Sequence, residues 1–551
     1  MKPFRLPVFR SLALCAVAAA ACSGSSAPKA GSSTLSAANP SRPNASASLA
    51  TQPSLNAFGQ PSPACLGATT PGDGSGSRLS AAPDPAGQER EDYSTLVDRR
   101  AELFGASYPA ALPDNGFGVV GSLNWGTWIQ ARPDSRTLPL GSIRPGDVLP
   151  LVSAEPKDGV GGVCSSFARV KEGFVCTSRR ATLDANSRWI QAGRWTEPVP
   201  GPLPYEFAIS WGAPMLSRVP RREEFRWTIG ERPARSMRGW AAGHDHLADT
   251  VPIAANGPIP DFLKDGGSVP TSFATDQKPG LFFKRIPEGS MLAYTRAFEA
   301  EGETWVLSTN MMIVPARGLA RFRPSQFHGV ELHEGLTLPV AWFRTHERPR
   351  WTRTEQGFEP AATPFAVRTM AKLTGQEERR DHETYWETGD GSWVKASDAT
   401  RVEPVKKLPW EVKDGGRWIY IGKRRGILVL YDGLTPVFTT LISPGKKGAT
   451  PPGRFRIESK HRTTTMTNEM GEPTRFWIAD VPWTQYFDRP YALHTAYWHE
   501  NFGEEMSGGC VNLSPLDAKR LFAWTDPPLP EGWESAQAIG ATGGTFVLIE
   551  M

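Results

Sequence analysis

Near the C-terminus the stretch SGGCVN, Ser507 to Asn512, sets Cys510 behind two glycines, and His494 lies sixteen positions upstream in YALHTAYWHENFG. A thiol and an imidazole brought together can attack a carbonyl. A free thiol, with a pKa of ~8.5, is mostly protonated at neutral pH and needs a base or a positive neighbour to become the attacking thiolate. His494 can be that base. A backbone carbonyl, that of Thr495, can orient the other ring nitrogen, which gives a nucleophile, a base and a main-chain orienter. Gly508 and Gly509 let backbone amides turn toward a tetrahedral oxyanion, with Gly509 the candidate for the oxyanion hole. The competing reading is a buried, inert thiol, because cysteine is often buried. That reading gives no reason for paired glycines or a histidine at this spacing.

The elements that must hold these residues are legible around them. In GGRWIYIGKRRGILVLYDGLTPVFTTLIS, Ile419 and Ile421, then Ile427, Val429 and Tyr431, then Val437 and Thr439 alternate as in strands, with GKRRG and YDG as turns. TPPGRFRI, residues 450–457, adds a strand after a Pro-Gly turn. After the cysteine, NLSPLDAKRLFAW reads as a helix: Ser514 is the N-cap, Pro515 the first helical residue and Asp517 the capping-box acid. Ala518, Leu521 and Phe522 form its apolar stripe. Cys510 therefore falls at a strand or loop end just before a capped helix, where a nucleophile is presented.

Together SPGKKGATPPGRFRI, YALHTAYWHENFG and SGGCVNLSPLDAKRLF resemble the L,D-transpeptidase catalytic domain of the YkuD family, over residues 408–551. His494, Ser507, Gly509, Cys510, Val511 and Asn512 match its ordered motif, while Gly508 stands where the family usually has histidine. The resemblance implies that the Cys510 thiolate attacks the carbonyl of the third stem-peptide residue of peptidoglycan and expels D-alanine. The resulting thioester is resolved by an amine, giving a 3-3 cross-link or protein attachment. Water in place of the amine would make the protein an L,D-carboxypeptidase, and a dead, wall-binding protein is the reading that Gly508 leaves open. Candidate substrate-binding residues are Ser507, Gly508, Asn512, His499 and Tyr486; His461, in HRTTTMTNEM, belongs either to a loop over the substrate or to a solvated one. The chemistry needs no cofactor.

A length of 551 residues exceeds what one core usually supports, so several domains are expected. Lys and Arg number 61 and Asp and Glu 57, a net charge of +4. No basic run resembles a nucleic-acid arm, and no nucleic-acid partner is expected. Lys2, Arg5 and Arg10 precede the apolar run SLALCAVAAAAC, too short to span a bilayer. Ala19, Ala20 and Ala21 before Cys22 resemble a bacterial lipobox, with Cys22 the lipidated residue and Ser23 favouring the outer membrane. An exported, periplasmic, outer-membrane-anchored lipoprotein is expected; ordinary signal cleavage is the alternative. In that oxidising compartment Cys164 and Cys176 are expected as a disulfide, Cys65 has no assignment, and Cys510 is left unpaired.

The fold expected is mainly β and multidomain. Residues 1–21 are a signal peptide and 22–90 a disordered tether of Ser, Ala, Pro and Gly, with helical character over 84–105. Three segments, 91–187, 188–327 and 328–407, share Trp- or Phe-bearing strands and Arg-Pro turns and resemble bacterial SH3-like modules. The middle one carries an insertion over about 222–280. His244 and His246 in that insertion have no third ligand at zinc-like spacing, so no metal is expected. The catalytic domain occupies 408–551.

Overall fold

Two sheets carry the C-terminal region. In the computed structural model the described residues are 116–124, 126–160, 162–225, 247–249, 251–270, 280–412, 415–467, 477–540 and 543–551. The signal, lipidation and tether readings, the helical stretch 84–105, Cys65, and His244 and His246 lie outside them.

The first sheet orders Val330–Glu331, Thr435–Leu441, Ile427–Asp432, Arg417–Gly422, Phe546–Glu550 and Gly453–Arg456. Its central hairpins turn at the expected GKRRG and YDG stretches, and Phe546–Glu550 joins Arg417–Gly422 in parallel. Ile419, Ile421, Leu428 and Leu430 point from it into a core shared with Leu493, Val511, Leu513, Leu521 and Phe522. The second sheet runs Val511–Leu513, Tyr491–Thr495, Trp477–Asp488, Ser459–Thr467 and Ser535–Gln537. The helix Pro515–Trp524 packs between the sheets. Ser514 Oγ accepts from the Asp517 N–H, as an N-cap should. Asp517 is not the capping-box acid expected. Its carboxylate accepts from the Gly329 N–H at 2.8 Å and from Thr440 Oγ1 at 2.5 Å, so it ties the helix to both the first sheet and the preceding segment.

The upstream segments are mainly β, and none closes into a barrel among the described residues. Strand Pro139–Ile143 pairs with Ser535–Gln537, with Gly141 opposite Ala536 and Ser142 opposite Ser535. Gly141 is required at this junction, since a Cβ there would lie 2.0 Å from the Ser535 carbonyl oxygen. Met291, in the strand Met291–Ala300, pairs in parallel with Ile478. The first two segments are thus hydrogen-bonded into the second sheet. Residues 340–402 instead form their own seven-stranded antiparallel sheet. Cys164 and Cys176 are disulfide-bonded, with their Cα atoms 6.0 Å apart.

A buried charged cluster stitches the segments together. Arg144 donates to Tyr205 Oη and, at 2.7 Å, to the Thr309 carbonyl; Asp480 accepts from Thr309 Oγ1 at 2.5 Å. Glu534 accepts from the Thr463 N–H at 2.9 Å and Oγ1 at 2.6 Å, and Arg462 lies 4.0 Å from both Asp147 and Glu534. Burial raises the carboxyls of Asp147 to about 6 and of Glu534 to about 7, with the arginines opposing the rise.

Candidate active site

His494 sits on the strand Tyr491–Thr495, whose parallel pairing sets Leu493 against Val511 and His494 against Asn512. Cys510, one residue ahead of Val511, falls at the level of Ala492. Opposed residues project to one face and alternate residues share it, so Cys510 and His494 lie on the same face of the sheet. Leu493, Val511 and Leu513 turn to the other face and anchor the pair in the core.

The His494 ring is 3% exposed, and its Nδ1 lies 2.9 Å from the Thr495 carbonyl oxygen. That carbonyl can only accept, so Nδ1 carries the proton and Nε2 keeps its lone pair. Burial lowers the imidazole from 6.5 to about 4, with the Thr495 bond opposing the drop. His494 is therefore neutral at physiological pH, with its ring oriented by the Thr495 carbonyl. Cys510 stands outside the disulfide and is partly exposed; its Sγ lies 3.8 Å from the Pro490 carbonyl oxygen.

The loop that presents Cys510 is built by its neighbours. Ser507 Oγ donates to the Cys510 carbonyl and accepts from the Gly509 N–H at 3.0 Å. Ser507 thus braces the turn from within, and the Gly509 amide is engaged there rather than pointing into an open oxyanion site. Gly509 has φ +145°, and a Cβ there would lie 2.4 Å from Tyr491 Cε1. Gly508 is exposed, and a Cβ on it would meet nothing within 4 Å. Asn512 reaches His499, which is fully buried: its side-chain amide lies 3.0 Å from His499 Nε2. The Asn501 N–H donates to His499 Nδ1 at 3.2 Å, so the ring proton sits on Nε2 and Asn512 must turn its oxygen toward it. His499 therefore secures the strand behind Cys510. Tyr486 lies two strands from Cys510 and stands edge-on to His461 at 5.5 Å between centroids.

The sequence reading missed the support from SPGKKGAT. Ser443 and Asn512 exchange backbone hydrogen bonds of 2.9 Å, and the Lys446 N–H donates to the Ser507 carbonyl at 2.9 Å. Thr450 Oγ1 donates to the Gly509 carbonyl at 2.8 Å and accepts from the Gly445 N–H at 2.7 Å. Lys423, 6% exposed, caps this loop by donating to the carbonyls of Thr450 at 2.7 Å and Gly448 at 3.2 Å. The Gly-Lys-Lys-Gly turn marked the loop, but a lysine in the GKRRG turn carried no signal of burial.

The fold and site define a β-rich C-terminal region that sets a partly exposed cysteine and a main-chain-oriented histidine on one face of a sheet. Residues 416–549 match the family model for the YkuD L,D-transpeptidase catalytic domain, whose members are cysteine-dependent L,D-transpeptidases. No curated protein matches the chain. Among solved structures, a mutant of Enterococcus faecium L,D-transpeptidase is similar at 21% identity over 24% of this chain and 49% of that one, with a TM-score of 0.19. An L,D-transpeptidase from Stackebrandtia nassauensis is similar at 26% identity over 26% and 59%, with a TM-score of 0.18. An L,D-transpeptidase from Mycobacterium smegmatis is similar at 13% over 37% and 78%, with a TM-score of 0.21. The chain thus spans about half of the first of these and under two thirds of the second.

Proposed function

We propose that the chain is an exported peptidoglycan L,D-transpeptidase with Cys510 as nucleophile and His494 as general base. The observation that carries this reading is the His494 Nδ1 contact to the Thr495 carbonyl, on a strand whose register sets Cys510 on the same face. His494 Nε2 takes the thiol proton as Sγ bonds to the carbonyl carbon of the third stem residue. The tetrahedral intermediate collapses as the C–N bond to D-alanine breaks, and the amine leaves with the proton from His494. An incoming amine loses its proton to His494, attacks the thioester, and returns Cys510 as the thiol. Lipidation at Cys22, a tether and a periplasmic, outer-membrane position complete the proposal.

The test is intact-mass analysis after incubation with a carbapenem, followed by product analysis on disaccharide-tetrapeptides with and without an amine acceptor. The wild type gains one adduct and Cys510→Ala gains none. An adduct retained in Cys510→Ala places the nucleophile elsewhere, no adduct on the wild type leaves a wall-binding protein, and hydrolysis despite excess amine makes the enzyme a carboxypeptidase. Cys22→Ala moves the protein from the membrane fraction to the soluble periplasm; a wild type already soluble after export refutes the anchor.

A further inference from the structure

The sheet that carries Cys510 and His494 does not end at the catalytic strands. Across it, Ala492 stands opposite Tyr486, Tyr486 opposite Ser459, and Ser459 opposite Gln537. With Cys510 at the level of Ala492, these five residues form one row on one face. The row leads into a cavity of about 710 Å³ lined by this sheet and by residues on and beside the strands Thr127–Gln130 and Pro139–Ile143 that extend it. That volume is within the roughly 300–1,000 Å³ of ordinary ligand sites. Strands are spaced about 4.8 Å apart, so Tyr486 lies about 10 Å and Gln537 about 19 Å from the Cys510 level. An extended peptide advances about 3.3–3.6 Å per residue, so about three residues reach the near end and about six the far end.

The lining has the chemistry of a peptide site. Trp128, Leu140 and Ile143 supply apolar walls, and Leu138 and Ile539 stand at 89% and 60% exposure along it. Exposed apolar side chains grouped at a cavity are a mark of a ligand or partner site. Arg489 is the cation of the lining. It is exposed, lies over the Tyr486 ring at 5.0 Å and donates to Ser459 Oγ at 3.0 Å. Among the described residues no carboxylate pairs with it. Its chain neighbour Pro490 places a carbonyl 3.8 Å from Cys510 Sγ, so the cation borders both nucleophile and cavity. Glu534, 5% exposed, also lines the cavity; its Oε2 has no hydrogen-bond partner among the described residues, with Arg462 4.0 Å away.

We propose that this cavity holds the non-reacting arm of the peptide whose carbonyl is attacked at Cys510, with a carboxylate of that arm on Arg489 and an amide N–H facing Glu534. The proposal rests on the transpeptidase reading for the identity of the peptide. It makes the segment around residues 128–143 part of the substrate site, not merely a module joined to it.

The test is calorimetric titration of the full-length Cys510→Ala protein with a stem tetrapeptide, its carboxylates free or amidated. This binding readout is independent of chemistry, so a failed transpeptidase reading (no acylation of wild type despite peptide binding) is distinguishable from a failed cavity. Arg489→Gln is expected to weaken binding of the free acid about tenfold and of the amidated peptide by less than twofold, with Arg489→Lys recovering part of the loss. Gln537→Trp, which fills the cavity, is expected to weaken both peptides. Melting temperature in the same variants on the wild-type background, and the alkylation rate of Cys510 by iodoacetamide in Gln537→Trp, remain as in wild type. Absence of binding, equal weakening of both peptides by Arg489→Gln, or unchanged binding in Gln537→Trp overturns the proposal.

Discussion

The resting state proposed for the Cys510–His494 pair follows from His494. Burial brings its imidazole from 6.5 to about 4, the Thr495 carbonyl offsetting only part of the effect. At about 1.36 kcal/mol per unit, the protein disfavours the imidazolium by about 3 kcal/mol relative to water. A thiolate–imidazolium pair formed before substrate arrives carries that cost. The expectation is a neutral His494 in the resting site, with the proton moving as the carbonyl is attacked. Two pH series from roughly pH 3.5 to 9 separate the cases. Carbapenem acylation, which uses the base, should lose rate on the acid side with a midpoint near the His494 value of about 4. Alkylation by iodoacetamide, and the thiolate absorbance near 240 nm relative to Cys510→Ala, report thiolate alone and should rise only on the alkaline side. His494→Ala should lower acylation by about 10²–10⁴-fold, the usual worth of a positioned base. A flat alkylation plateau from acid to neutral pH, abolished in His494→Ala, would show a preformed ion pair and refute the argument.

Gly509→Ala should cost about 1–3 kcal/mol from the strained φ, displace Tyr491 and cut acylation more than tenfold, read by melting and intact mass. Gly508→His meets open space and should leave the melting temperature unchanged, with acylation within about tenfold of wild type in either direction, since a supporting contact is worth less than a base. Lys423→Met should keep the fold but slow acylation by releasing the 446–450 loop from behind Gly509; an unchanged rate would show that the loop holds without it. Glu534 is raised from 4.5 to about 7, so its stabilising contribution is full below the lower value and is lost as pH rises through the upper. Stability should fall from pH 5 to 8 less steeply in Glu534→Gln than in wild type, by at most about 3 kcal/mol; parallel curves would remove Glu534 from the titration.

The hairpins about GKRRG and YDG and the capped helix after Cys510 were legible because alternation and capping are local signals. The carbonyl of Thr495 was legible for the same reason, since it lies one residue from the ring it orients. Asp517 was misread because its partners, Gly329 and Thr440, are distant in sequence, and a capping-box pattern cannot reveal them. His499 carries no mark in YWHENFG of the Asn512 amide it meets from a neighbouring strand. The Trp-rich upstream segments read as separate small barrels because strand and turn residues specify strands, not which sheet they join. The pairing of Gly141 with Ala536 spans most of the described chain, and only a glycine without obvious purpose recorded it.

That junction bears on where the chain can be cut. A fragment trimmed to the family-matched residues 416–549 would strip the strand Pro139–Ile143 from Ser535–Gln537 and Val330–Glu331 from Thr435–Leu441. It would bare two ribbons of unpaired amides and carbonyls, the surfaces on which protein chains stick to one another. The helix behind Cys510 would lose the Gly329 amide from Asp517, and Arg462 and Glu534 would lose Arg144 and Asp147 from their cluster. In this chain the upstream strands complete both C-terminal sheets, so a fragment expected to stay folded begins well ahead of Cys510 and His494.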